Sequence, residues 1–74
     1  MAADKSQKFW LGSVPSEDDF GDPITDEFID GRTVSGSWAF MTPRNHYDRG
    51  VGLGTGRGQL YKKQQDGRFL KVED

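Results

Sequence analysis

The sequence predicts a small α+β domain built from antiparallel β hairpins and one short helix. Two Asp-Gly pairs, at 30–31 and 66–67, lie between stretches of apolar and polar residues, which is typical of hairpin turns. Residues 43–49 begin with a proline after a threonine and end before a glycine, which is typical of a short helix. The 74 residues suffice for one domain, which we place at 9–74 behind a flexible polar tail at 1–8.

The first elements along the chain are less sharply marked than the later ones. The apolar run at 9–11 is either a short strand or a docking segment, and a proline-containing acidic loop follows it. We expect the first hairpin at 24–41, with the first Asp-Gly pair as its turn and Gly36 as a bulge. Residues 24–30 also fit a short helix capped by Thr25, so both interpretations remain open.

The helix and the second hairpin carry clearer signals. Thr42 is expected to cap the helix, Pro43 to occupy its first position, and Gly50 to adopt the left-handed conformation after its end. Arg49 then lies in the last turn, where a cation is favourable. The second hairpin is expected at 59–73, with the second Asp-Gly pair as its turn.

Composition and charge narrow the class of protein. The chain has no cysteine, which excludes disulfides and thiolate metal sites, and no apolar run approaches the roughly 20 residues of a membrane helix. We therefore expect a cytosolic protein that does not act at a membrane. Residues 1–31 carry a net charge of −6 and residues 32–74 a net charge of +4. This split predicts either a dipolar surface facing two unlike partners or scattered, solvated loops.

No pattern in the chain indicates catalysis. His46 is the single histidine, and its spacing from the nearest serines and acids fits no catalytic triad. The glycine-rich stretch at 50–58 lacks the Lys-Ser/Thr of a phosphate-binding P-loop, and its strict alternation does not fit a dinucleotide fingerprint. We therefore expect no catalytic residue, no cofactor and no small-molecule substrate.

Two pairs of polar residues have the spacing of zinc knuckles. Asp19 and Asp22 form the first pair, and Thr42 and Asn45 form the second about twenty residues later. Cysteines at these positions would make a zinc ribbon, but hydroxyl and amide oxygens are poor zinc ligands. The layout is therefore zinc-ribbon-like, with no metal expected.

The glycines at alternate positions of 50–58 predict an extended segment with one bare face, where another backbone can approach closely. We expect Arg57 to point outward beside the lysines of the next strand. The resulting basic strip, able to touch a phosphate backbone, is expected to comprise Arg57, Lys62, Lys63 and Arg68, together with Lys71. The alternative is a mobile connector with scattered surface cations.

Three segments together resemble a family of small lytic-phage proteins that regulate transcription: FWLGSVPSEDDFGDPITDEFIDG, GSWAFMTPRNH and GVGLGTGRGQLYKKQQDGRFLKVE. The resemblance covers nearly the whole of 9–73. In that family the knuckle positions hold cysteines in a zinc-ribbon-like pattern. The four matching positions here are not cysteines, so metal binding is not implied for this chain.

The resemblance implies a regulator that binds the RNA polymerase of a bacterial host, in whose cytoplasm it acts. Such a regulator inhibits initiation by weakening sigma-factor binding and promotes readthrough of intrinsic terminators. The implied contact is the N-terminal region of β′, near the RNA exit channel, with nascent RNA as a further partner.

Binding of this kind requires an adhesive patch, because aromatic anchors dominate interface energies and acidic groups steer a basic partner. We expect this patch to comprise Phe9, Trp10, Asp18, Asp19 and Asp22. A different class of function, a small nucleic-acid-binding module that uses the basic strip, is the alternative.

Overall fold

A computed structural model describes residues 8–73. It contains four strands and one helix: β1 (Glu27–Arg32), β2 (Trp38–Met41), α1 (Pro43–Arg49), β3 (Gly58–Lys63) and β4 (Phe69–Glu73). The strands form one antiparallel sheet in the order β2-β1-β3-β4, and α1 packs against β1 and β2. The predicted α+β class, with antiparallel hairpins and one short helix, is confirmed.

The first hairpin forms, but its turn was misplaced by the sequence interpretation. Asp30 and Gly31 lie inside β1, which also rules out the alternative helix, and the turn spans 33–37. Gly31 pairs with Ala39 of β2 and Gly58 of β3, and a glycine suits this position because a Cβ would lie 3.1 Å from the Arg57 carbonyl oxygen. Gly36 belongs to the turn, with a φ of +98°, and makes no bulge.

The predicted helix is confirmed at Pro43–Arg49. The Thr42 hydroxyl accepts a hydrogen bond from the Asn45 backbone N–H at 3.4 Å, as expected of a cap. The prediction of a left-handed Gly50 is wrong, because its φ is −85°. A glycine still fits best there, since a Cβ at Gly50 would overlap the imidazole ring of His46.

The second hairpin is confirmed, with Gly67 in its turn at a φ of +89°. The run at 9–11 docks on β4 without forming a strand, because Phe9 makes an isolated bridge with Leu70 and the Trp10 N–H donates to the Phe69 carbonyl oxygen at 2.8 Å. The predicted flexible tail lies outside the described residues except for Lys8, whose carbonyl oxygen accepts a hydrogen bond from Lys71.

The two faces of the sheet are built from different side chains. On one, the aromatic face, the rings of Trp10, Phe28, Phe40, Tyr61 and Phe69 pack together around the fully buried Phe28, with ring centroids 5.1–5.6 Å apart. The opposite face carries the buried Ile29 and Met41. The aromatic rings on one face and the aliphatic side chains of Ile29 and Met41 on the other together form the apolar core of this small domain.

The glycine-rich loop at 50–57 does not form the predicted extended segment. Gly52, Gly54 and Gly56 all have positive φ values, of +105°, +125° and +80°, so the chain turns tightly. The loop lies over the opposite face, where the Gly52 carbonyl oxygen would be 3.0 Å from a Cβ at Gly58. The backbone of the loop therefore comes close to β3, as a glycine-rich segment allows, but it does so through tight turns and not as an extended segment. Within residues 8–73 there is no helix long and apolar enough to cross a membrane.

Candidate functional site

The acidic loop is organised around the carboxylate of Asp18. One carboxylate oxygen accepts hydrogen bonds from the backbone N–H groups of Phe20 and Asp22, both at 2.9 Å. The other accepts from the Thr42 backbone N–H at 2.8 Å, the Thr42 hydroxyl at 3.0 Å and the Asn45 side-chain amide at 2.7 Å. Asp18 therefore ties the loop to the start of the helix.

Asp18, which was predicted for the adhesive patch, is only 5% exposed and therefore offers almost no surface to a partner. Burial by itself acts to raise the pKa of this carboxyl group. The hydrogen bonds from Asn45 and from the backbone of Thr42, Asp22 and Phe20 outweigh burial and hold the pKa well below its usual range. A carboxylate bonded in this way is a structural group and presents no surface to a partner.

Three of the four knuckle positions meet at this carboxylate. The Asn45 side-chain amide donates one hydrogen bond to Asp18 and another to the Asp22 carboxylate, the latter at 2.7 Å. The Thr42 hydroxyl also donates to Asp18. Asp19 lies apart from this cluster, at the edge of β2. Within residues 8–73 no group of three or more histidine, aspartate or glutamate side chains could hold a metal ion.

Phe9 and Trp10, predicted as anchors for a partner, make contacts within the domain. The Arg68 guanidinium lies over the Phe9 ring, 3.9 Å from its centroid. The Trp10 indole makes edge-to-face contacts with Phe28, Phe40 and Tyr61 on the aromatic face. Both rings are half-buried, so they help to build the fold, and only part of each ring remains for a partner.

The basic strip does not form one surface. Arg57 lies in the loop directly before β3, and Lys62 lies near the far end of that strand, about 14 Å beyond its first residue. Lys62 and Lys63 point to opposite faces because consecutive strand residues alternate, and Lys62 lies 4.0 Å from the Glu27 carboxylate. Arg68 donates to the Asp66 carboxylate at 2.8 Å. A shallow groove beside Trp10 brings only Lys63 and Arg68 together.

Sequence reasoning missed a groove of about 410 Å³ at the end of the sheet, which we call the Trp38 groove. Its apolar side chains are well exposed, with Trp38 at 49%, Val34 at 77% and Phe20 at 38%. The guanidinium of Arg49 lies 4.4 Å from the centroid of the Phe20 ring and completes the wall. Exposed aromatic, aliphatic and arginine side chains in one concave site are typical of protein interfaces.

The residues of the Trp38 groove come from separate parts of the chain. Phe20 lies in the acidic loop, Val34 in the turn of the first hairpin, Trp38 in β2 and Arg49 in the last turn of α1. Each was visible as an isolated apolar or basic residue. Val34 lies two residues after the end of β1, and it is exposed because it is in the turn of the first hairpin.

His46 has a structural role. Its Nε2 lies 3.0 Å from the Gly52 carbonyl oxygen, which can only accept, so Nε2 is the donor. This hydrogen bond ties the helix to the glycine-rich loop.

Comparisons with protein families, with curated proteins and with solved structures found no match to this chain.

Proposed function

We propose that this chain is a phage-encoded regulator that binds bacterial RNA polymerase in the host cytoplasm. It acts by adhesion and not by catalysis, inhibiting initiation through weaker sigma-factor binding and promoting readthrough of intrinsic terminators. The resemblance of its three segments to phage transcription regulators suggests the partner. The observation that carries the binding role is the Trp38 groove, because a small domain gains little by exposing two aromatic rings and a valine unless a partner covers them.

The contact surface that we propose differs from the predicted adhesive patch. Asp18 is buried, and Trp10 packs into the aromatic face. The Trp38 groove instead offers apolar anchors with a cation, Arg49, and an anion, Asp19, at its walls. We place the polymerase contact there, on the N-terminal region of β′ near the RNA exit channel.

The binding test compares two truncations of exposed side chains. Trp38→Ala should weaken binding to purified polymerase by about tenfold or more, because aromatic anchors carry much of an interface's energy. Leu11→Ala is the matched control, since Leu11 is 87% exposed and lies outside the groove. Affinity is measured by interferometry with core enzyme and with holoenzyme, and terminator readthrough by transcription in vitro. A wild-type chain that binds neither enzyme form contradicts the proposal.

The contact surface is tested by crosslinking. A photoreactive group at Ser37, which lines the Trp38 groove, should crosslink to the N-terminal region of β′, and one at Gln65, in the turn of the second hairpin, should not. Crosslinks to another subunit would show that the Trp38 groove contacts that subunit and not β′.

The alternative, a nucleic-acid-binding module, needs a continuous line of cations. Because Lys62 and Lys63 point to opposite faces, the strip is divided between two surfaces. Salt-dependent RNA binding by the isolated protein, lost in Lys63→Ala with Arg68→Ala, would favour this alternative over the polymerase.

A further inference from the structure

Asp30 lies in β1, an interior strand of the sheet, in an unusual place for a charged side chain. It is paired with Phe40 of β2 on one side and with Gln59 of β3 on the other. Because strand residues two apart share a face, Asp30 points to the same side of the sheet as Phe28, so its carboxylate stands at the margin of the aromatic face.

This carboxylate has no hydrogen bond and no ion pair among the described residues. The neighbouring cation on the same face is Arg32, and its Nε donates to the Gly56 carbonyl oxygen at 3.2 Å instead. Partial burial raises the pKa of Asp30, and no other group offsets it. The carboxylate oxygens of Asp30 nevertheless reach solvent, because no side-chain oxygen among residues 8–73 is both fully buried and without a hydrogen-bond partner.

The surroundings of Asp30 favour a cation over other ligands. Phe40 is the cross-strand partner of Asp30, and the half-exposed Trp38, which is paired with Arg32, follows on the same face of β2. Aromatic ring faces attract cations, and a carboxylate binds a guanidinium through two parallel hydrogen bonds. A phosphate backbone would be repelled by the same charge, which argues against nucleic acid at this position.

We propose that Asp30, with the rings of Phe40 and Trp38 beside it, is the recognition site for an arginine side chain of a protein partner. Arginine fits better than lysine, because its planar guanidinium both pairs with a carboxylate and stacks on an aromatic ring. The partner therefore presents an exposed arginine to the margin of the aromatic face, beside β2. This inference deepens the proposed function and rests on it for the identity of the partner, but not for the chemistry of the site.

The site is tested on the isolated protein with a defined probe, the peptide acetyl-Gly-Arg-Gly-amide. In an NMR titration we expect shifts at the amides of Asp30, Phe40 and Gln59. Asp30→Asn and Asp30→Thr should weaken peptide binding by roughly fivefold or more, because the charge-assisted pair is lost. Asp26→Asn is the matched control, since it removes the same charge from an exposed position just before β1. Equal binding by the Asp30 variants overturns the inference.

A stability measurement separates recognition from a structural role. The thermal midpoint should rise in Asp30→Asn and stay constant in Asp26→Asn, because an unpaired, partly buried charge disfavours the folded state. A lower midpoint in both Asp30 variants would show that the carboxylate stabilises the fold and would overturn the inference.

Binding to polymerase distinguishes this inference from the proposed function. If the wild type binds polymerase and the Asp30 variants bind equally well, the arginine site is wrong and the function stands. If the peptide results hold but the wild type does not bind polymerase, the partner is wrong and the arginine site stands.

Discussion

The carboxylates of Asp18 and Asp30 have opposite effects on the fold, because only the first is surrounded by hydrogen-bond donors. Asp18 accepts five hydrogen bonds, two from the backbone of its own loop and three from Thr42 and Asn45, at the N-terminus of the helix. Asp30 accepts none in the described part of the chain. Hydrogen bonds to a charged acceptor stabilise by about 1.5–3 kcal/mol each, so a carboxylate with five donors stabilises the fold despite its burial.

The first prediction at the residue scale is that Asp18→Asn destabilises the domain by about 3 kcal/mol, because the new amide places a donor against donors. Urea unfolding at neutral pH measures the change. Asp26→Asn, at an exposed position, should change the free energy of unfolding by less than about 0.5 kcal/mol. A loss of stability below about 1 kcal/mol would contradict this prediction, because it would show that the hydrogen bonds to the Asp18 carboxylate contribute little net stability.

The same substitution changes the acid limb of the stability curve. The pKa of Asp18 lies below its usual range in the folded protein and is about 4 in the unfolded chain. The unfolded state therefore takes up the proton first, and the stabilisation, complete above about pH 5, is lost as the pH falls. Asp30, whose pKa is raised, acts in the opposite direction. Asp18→Asn should therefore lose less stability than the wild type between about pH 5 and pH 2.

At the scale of elements, the outer edge of β2 is protected by the acidic loop. The Phe40 N–H donates to the Asp19 carboxylate at 2.8 Å, and the Asp19 N–H donates to the Phe40 carbonyl oxygen at 3.0 Å. An open edge strand pairs readily with other chains, so this loop prevents edge-to-edge association. Asp19, predicted for the adhesive patch, has this structural contact and also lines the Trp38 groove.

The element-scale prediction concerns the outer edge of β2. Asp19→Ala should speed hydrogen exchange of the Phe40 amide by about tenfold, because its acceptor is removed and the edge opens locally. Asp48→Ala is the control, since Asp48 is exposed and pairs only with Arg44 on the helix surface, at 3.7 Å. Unchanged protection of Phe40 would show that the backbone bond from Asp19 alone holds the edge.

For the whole molecule, the pairing of strands decides where charge and apolar surface lie. The acidic half of the sequence contributes β1, which the basic half encloses as β2 and β3. The halves therefore interleave, as the approach of Lys62 to Glu27 shows, and the −6 and +4 segments do not form two oppositely charged ends. Stability depends instead on the aromatic face, where Trp10 covers the centre of the sheet.

The prediction at this scale is that Trp10→Ala lowers the free energy of unfolding by about 3 kcal/mol, because three ring contacts are lost from one cluster. Leu11→Ala, next to it and 87% exposed, should change it by less than about 0.5 kcal/mol. Both values come from chemical denaturation. If Trp10→Ala kept full stability and lost polymerase binding, Trp10 would be an anchor after all. Loss of binding in an unfolded variant would not identify a contact.

The elements predicted correctly are those with local signals. Thr42 and Pro43 begin α1, and Asp66-Gly67 turns the second hairpin, because caps and tight turns depend on residues a few positions apart. The first Asp-Gly pair carried the same local signal and was misread. Its glycine is favoured by the close approach of the neighbouring strand β3, which the sequence does not place beside it.

The candidate sites depend on neighbours that are distant in sequence. Asp18 accepts a hydrogen bond from Asn45, which lies 27 positions later in the sequence, and the Trp38 groove is lined by four segments of the chain. The amino-acid pattern alone established an α+β domain with a capped helix and a terminal hairpin. Whether a given carboxylate is bonded, as Asp18 is, or left unpaired, as Asp30 is, was decided by the folded chain, because hydrogen-bond donors reach a side chain through strand pairing and packing.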